Sequence, residues 1–244
     1  MPFDDDLDPK DELRREYLVR LLSLGALSAT PVGVLHAAWW GSTPEKLDDD
    51  KSIFSIDGQV KVNNRNADLK TRIRTGDVVE TGKDSEVVFA VGSDSFILRS
   101  NSQMEIEGSN FFVDSLRLLT GSVLSVFGKR NNNNLTVNAT TATIGIRGTG
   151  IYMEAEPDLT YLCTCYGRVD VASRVDPNDK ETIVAQHHDA PKYITNSASG
   201  GSYIRPAPFK NHTDAELKLI EAIVGREVPF GIESELYKGE RREY

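Results

Sequence analysis

Two cysteines and three histidines in the second half of the chain are the residues best suited to chemistry: Cys163, Cys165, His187, His188 and His212. On a strand, residues two apart point to the same face, so the two thiols are expected side by side. Two thiolates and two imidazoles suit a tetrahedral Zn²⁺ ion or a copper ion that favours thiolates. Because adjacent strand residues point to opposite faces, at most one of His187 and His188 should ligate, with His212 a possible fourth ligand.

Two other interpretations of the cysteines stay open. Tyr161, Cys163, Cys165, Val169 and Val171 share one parity, which makes theirs the apolar face of the strand. On that interpretation the cysteines are small core residues. The third interpretation is a disulfide, either in a bent strand or between molecules. Residues two apart are roughly 6.5–7 Å apart along a strand, which is long for a disulfide unless the strand bends.

The segment Arg147-Gly148-Thr149-Gly150 has the glycines of a phosphate-binding loop but not its other features. It lacks the Gly-Lys-Ser ending and a following helix. We therefore predict a tight turn that needs glycine at positive φ, with Arg147 paired to an acidic neighbour. No Ser/His/Asp order and no pair of glutamates indicates catalysis, so we predict that the protein is not an enzyme.

The N-terminal segment is similar to a twin-arginine export signal. Arg14, Arg15, Tyr17 and Leu18 stand before an uncharged run, which is about as long as a membrane span. The interpretation places the rest of the chain in the periplasm. If the segment is not cleaved, residues 18–40 would anchor the protein in the inner membrane.

Short alternating segments dominate the rest of the sequence. From Ser52 onward apolar residues recur at period two, with turn residues every eight to twelve positions. This predicts a mainly β fold, either a curved β-sandwich or a solenoid-like β-roll of short antiparallel strands. An N-terminal membrane or export helix and one C-terminal helix complete the prediction. The Thr213–Glu216 capping box marks the start of the C-terminal helix, expected over about 214–224.

Three regions follow from these patterns. Residues 1–50 form the export signal or anchor with an acidic linker, 51–175 the β-domain, and 176–244 a C-terminal extension of strand, loop and helix. A formal charge of -9 and a pI near 5.0 exclude nucleic acid as a partner, because no basic face is available to displace counterions.

An ordered set of glycine motifs carries a family resemblance: Arg74–Val79, Thr81–Ser85, Leu118–Val123, Thr143–Met153 and Tyr166–Val171. Together they resemble the FecR domain, a periplasmic β-module of iron-responsive signalling proteins. The resemblance implies that Arg147, Gly148 and Thr149 form a family turn between two strands. It also implies hairpins at Gly121 and Gly167.

The same resemblance implies an exported, non-catalytic module that binds or signals, or that serves as a scaffold in the cell envelope. Its partner would be a protein or a small ligand there. The family pattern does not include the cysteines and histidines, so no cofactor follows from it, and Zn or Cu rests on those residues alone. Sigma-regulating members have a helical portion before the membrane, whereas this sequence has only an acidic segment of about a dozen residues there. We therefore expect no anti-sigma activity.

Overall fold

The computed structural model describes residues 44–109, 112–130 and 135–230. Residues from Lys46 onward belong to one compact unit. The predicted export signal and the segment 18–40 lie outside the described residues. Within the described ranges, no helix has the length and apolar character required to cross a membrane.

The described residues are mainly β. The strands are β1 Ile53–Asp57, β2 Val60–Val62, β3 Arg65–Asn66, β4 Val78–Thr81, β5 Glu86–Val91, β6 Asp94–Leu98, β7 Gln103–Ser109, β8 Phe112–Val126, β9 Leu135–Asn138, β10 Ala142–Ile146, β11 Gly150–Ala155, β12 Leu159–Ser173, β13 Lys180–Ala185, β14 Lys192–Ser199 and β15 Ser202–Pro206. One helix, α1 Asp214–Ala222, follows them. The predicted β fold with a C-terminal helix is confirmed.

Two sheets are joined through two long strands. Sheet 1 contains β1, β5, β6, β11, β14 and β15, whereas sheet 2 contains β2, β3, β4, β7, β9, β10 and β13. The 15-residue strands β8 and β12 run through both sheets. Among these strands only β8 and β9 pair in parallel. The strands are thus antiparallel as predicted, but β8 and β12 are much longer than expected.

Glycines mark the points where the chain passes from one sheet to the other. Gly121 in β8 and Gly167 in β12 have φ of 80° and 91°. A Cβ on Gly167 would lie 2.7 Å from the carbonyl oxygen of Gly148. The predicted hairpins at Gly121 and Gly167 are wrong, because β8 and β12 continue through these residues and pair with strands on both sides.

The Arg147–Thr149 turn is a bend rather than a reversal. Gly148 has a φ of 65°, and Arg147 Nη2 lies 3.0 Å from Asp170 Oδ2, so the positive φ and the acidic partner are as predicted. However, β10 and β11 both pair antiparallel with β12, on either side of Gly167. The chain therefore keeps its direction at this bend as it passes between the sheets. A tight turn that reverses the chain is therefore not formed here, and the reversal comes after β11, at residues 156–158.

One hydrophobic core receives side chains from both sheets. On β12, Leu162, Val169 and Val171 belong to it. Leu162 has the opposite parity to Val169, and the register with β11 shifts at Cys165, between Thr164 and Tyr166, so the strand exchanges its faces there. Cys163 and Cys165 therefore do not share a face with Val169, as the constant alternation had predicted. They lie on the other side of sheet 1, which we call its outer face.

The outer face of sheet 1 is covered by residues 207–225, which we call the C-terminal cover. Its helix α1 buries Leu217 and Ile220, and the hydroxyl of Ser95 on β6 donates to the carbonyl of Ile220. The amide of Glu216 donates to Thr213 Oγ1 at 3.3 Å, and Glu216 Oε2 accepts from the Thr213 amide at 2.7 Å. This is the predicted capping box.

Replacing Thr213 by Ala is expected to destabilise the protein by about 1 kcal/mol, because an amide of the first helical turn loses its acceptor. Thr213→Ser keeps the hydroxyl and should recover most of the loss. Chemical denaturation of the three proteins measures the difference. Equal midpoints for Thr213→Ala and the parent protein would contradict a contribution of the cap.

Candidate metal centre

The two cysteines lie in the part of β12 that belongs to sheet 1. Their strand β12 pairs with β11 on one side, where Cys163 is opposite Tyr152, and with β14 on the other. Both thiols are free and fully buried. Neither sulfur is exposed to a second molecule in this conformation.

The two histidines that approach the thiols come from different segments. His188 follows β13, and its amide donates to the carbonyl of Cys165 at 2.8 Å, which fixes the loop against β12. Its φ of 54° turns the backbone sharply there. His212 belongs to the C-terminal cover, and its ring stacks on Tyr152 with 4.6 Å between centroids. Phe209 contacts both imidazoles. His188 and His212 are both buried.

Four potential ligand atoms converge. One ligand atom from each of Cys163, Cys165, His188 and His212 lies within 4.8 Å of the other three. The His212 Nε2 to His188 Nδ1 distance is 3.0 Å, Cys165 Sγ to His212 Nε2 is 3.4 Å, and Cys163 Sγ to His188 Nδ1 is 3.7 Å. A zinc tetrahedron with usual bond lengths has N–N edges of about 3.3 Å and S–N edges of about 3.6 Å. The observed distances are close to these edges.

Hydrogen bonds on the far sides of the imidazoles fix which nitrogen faces the thiols. His212 Nδ1 lies 2.8 Å from the carbonyl oxygen of Lys210, which can only accept, so Nδ1 carries the proton. His188 Nε2 lies 2.8 Å from Asp214 Oδ1 and donates to it. In the neutral rings, His212 Nε2 and His188 Nδ1 therefore point their lone pairs toward the thiols. Such outer partners are typical of metal-bound histidines.

His187 does not join the thiols. Its Nε2 lies 2.9 Å and 3.0 Å from the two carboxylate oxygens of Asp214, and its ring packs on Phe230. The structure thus brings four of the five candidate residues together, and only one of the adjacent histidines reaches the cysteines. His187, His188 and Asp214 form a second, overlapping group. The sequence analysis missed Asp214, although its position two residues after His212 was a usable signal.

The pKa values of the two thiols are shifted in opposite directions. Burial raises the pKa of Cys163, but the hydrogen bond from Cys165 and the neighbouring imidazoles outweigh it and hold that pKa well below its usual value. Burial and the sulfur of Cys163 raise the pKa of Cys165. Burial lowers the pKa of His188, yet Asp214 and Cys163 outweigh it and raise the value. The directions of these pKa shifts favour loss of the proton from Cys163 and its retention by Cys165 and His188.

A buried polar network lies beside the cluster and ties the cover to sheet 1. Lys210 Nζ lies 2.5 Å from Glu154 Oε2 and above the ring of Tyr161. Asn211 and Tyr152 also donate to Glu154. Burial raises the pKa of Glu154, but these donors outweigh it and lower the value, so the carboxylate stays charged.

Comparisons with known proteins find solved structures at low similarity. No family model matches the chain, and no curated protein matches it. Two crystal structures of a candidate anti-sigma factor from Parabacteroides distasonis ATCC 8503, at 2.50 Å and 1.65 Å resolution, are similar to it. Each aligns with a TM-score of 0.44 at 12% identity over 57% of this chain, and over 70% and 69% of the respective chains.

Proposed function

We propose that this protein is a non-catalytic β-domain protein whose C-terminal cover is joined to sheet 1 by a zinc centre. The ligands are Cys163, Cys165, His188 and His212. The observation that carries the proposal is the convergence of two thiols and two oriented imidazole nitrogens, at spacings close to a zinc tetrahedron. Four protein ligands, all buried, leave no open position for a substrate, as in structural zinc sites.

Charge balance favours a divalent ion over Cu(I). Two thiols and two neutral imidazoles together carry no net charge, and both thiols must lose a proton to bind the ion as thiolates. Exchange of two protons for Zn²⁺ leaves two thiolates and two neutral imidazoles around a doubly charged ion, which is again neutral. Cu(I) would leave a buried negative charge near Glu154 and Asp214, which is costly to desolvate. An S₂N₂ tetrahedron is also the typical environment of zinc.

Titration of the metal-free protein with Co²⁺ tests the ligand set. We expect one equivalent to give the visible absorption of a tetrahedral thiolate complex, which one equivalent of Zn²⁺ then abolishes. Cys165→Ala should remove the thiolate bands, while His187→Ala is the matched control and should keep them. Absence of any visible band with the parent protein would contradict the proposed ligands.

We also propose that the domain works in the cell envelope, exported through the twin-arginine pathway and retained or released according to cleavage. The support is the ordered glycine motifs that resemble the FecR domain, behind a segment similar to an export signal. The partner would be a protein or a small ligand bound at a sheet edge or face. A binding, signalling or scaffold role suits a protein whose buried metal cannot reach a substrate.

A reporter fused after Trp40 tests the envelope proposal. An enzyme that is active only outside the cytoplasm should be active in the fusion, and deletion of the twin-arginine transport genes should abolish that activity. Arg14→Lys with Arg15→Lys should have the same effect as the deletion. A fusion that is active only as a cytoplasmic reporter would overturn the proposed location.

A further inference from the structure

The zinc ligands come from three separate pieces of chain. Cys163 and Cys165 belong to the interior of sheet 1, His188 to the loop after β13, and His212 to the C-terminal cover. We propose that metal binding fastens the C-terminal cover, so that metal loading decides whether the outer face of sheet 1 is covered or accessible. This inference rests on the proposed zinc centre and adds a regulated surface to it.

The surface under the cover is apolar and would be open to a partner if the cover were released. Ile97 on β6 and Leu124 on β8 are fully buried, yet both lie outside the main core and on the outer face. Leu217 and Ile220 are buried apolar residues of α1 in the cover. An amphipathic helix from another protein could take the place of α1, since helix-in-groove binding uses the same spacing of apolar residues.

Side-chain hydrogen bonds and ion pairs, rather than backbone pairing between strands, hold much of the cover to sheet 1. Arg99, directly after β6, pairs with Glu216 at 2.7 Å and donates to the carbonyl of Asn211. Lys210 pairs with Glu154, and Tyr166 donates to Glu221. Buried ion pairs contribute little net stability, because desolvation offsets their attraction. The metal–ligand bonds would add a strong attachment that these polar contacts do not provide.

Asp214 connects the loop that carries His187 and His188 to helix α1 of the cover. It accepts from His188 while lying in the first turn of α1, and it also contacts His187. Its alignment with His188 therefore depends on the docked position of the cover. Loss of the metal would remove the bonds from the cysteines to His212 and to His188 together. The amide of His188 would still donate to the carbonyl of Cys165, so its loop would stay on β12, whereas the cover would keep only its polar and apolar contacts with sheet 1.

Hydrogen exchange of the full-length protein, with bound zinc and after chelation, tests the inference. We expect peptides within 207–225 to exchange at least about tenfold faster after chelation, while core peptides from β5 and β8 keep their protection. A hydrophobic dye should then bind, because the outer face becomes accessible. His212→Ala should reproduce the effect with zinc present, and His187→Ala should not.

The outcomes separate this inference from the zinc proposal. If the protein binds one zinc but peptides 207–225 are equally protected with and without it, the fastening is wrong and the zinc centre stands. If chelation removes protection from the β5 and β8 peptides as well, the metal supports the whole domain and selective release of the cover is wrong. If no zinc binds, both proposals fail.

Discussion

Replacing Cys163 by Ala should abolish zinc binding and destabilise the protein by more than about 4 kcal/mol at saturating zinc. The reason is that metal-binding free energy becomes folding free energy when the ligands are assembled only in the folded chain. A cysteine that is merely a small core residue would cost about 1–3 kcal/mol through the cavity left behind. Cys165→Ala should behave in the same way.

The decisive comparison is between zinc and chelator. In chelator the parent protein loses most of its advantage over Cys163→Ala, because neither then has a metal. Thr164→Ala is the matched control, since Thr164 is also fully buried on β12 and lies between the two cysteines. Its effect should be independent of zinc. A Cys163→Ala loss of the same size in zinc and in chelator would contradict the metal centre.

Replacing Gly167 by Ala should destabilise the protein by about 3–5 kcal/mol, and this is the second large effect. The residue has a φ of 91°, and a Cβ would lie 2.6 Å from Thr149 Cγ2 and 2.7 Å from the Gly148 carbonyl oxygen. Both neighbours lie in the bend where β10 passes into β11, so neither can move without shifting a strand crossing. Thermal or chemical unfolding measures the loss.

Gly200→Ala is the matched control for the backbone part of that effect. Gly200 has a φ of 63°, and no heavy atom lies within 4 Å of an added Cβ. Its substitution should cost about 1–2 kcal/mol from the positive φ alone. Equal costs at Gly167 and Gly200 would show that close packing at the crossing contributes nothing.

The β architecture was predictable because local alternation determines it. Strands such as β5, where Val87, Phe89 and Val91 face the core, are visible as period-two patterns. The capping box at Thr213 and Glu216 likewise depends on residues three apart, so the helix start could be read directly. The pairing partners of each strand depend on distant segments and could not be read in this way.

The glycine motifs were misread for a physical reason. A glycine at positive φ ends a strand in a hairpin and also lets a strand bend from one sheet into the next, and the local sequence is similar in both cases. At Gly121 and Gly167 the chain continues as a strand because other strands pair with β8 and β12 on both sides of the glycine, and the local sequence does not show this pairing. The face of Cys163 was also assigned wrongly, because the register shift at Cys165, where the strand exchanges its faces, is invisible in the alternation.

The residue types of the candidate site could be predicted from the sequence, but not which of the two adjacent histidines joins it. Strand geometry limited His187 and His188 to one ligand, but the choice of His188 depends on its amide bonding to Cys165 and on the bend at φ 54°. Asp214 was missed because a carboxylate in a first helical turn is ordinarily explained by the helix dipole. Only the folded cover brings it to His188.

The most direct test of the account is the metal content of the purified full-length protein, measured by elemental analysis before and after chelation together with its melting temperature. We expect close to one zinc per chain, its loss on prolonged chelation, and a fall in melting temperature that added Zn²⁺ reverses. Protein that carries no metal, and whose melting temperature is unchanged by chelator, Zn²⁺ or copper, would contradict it.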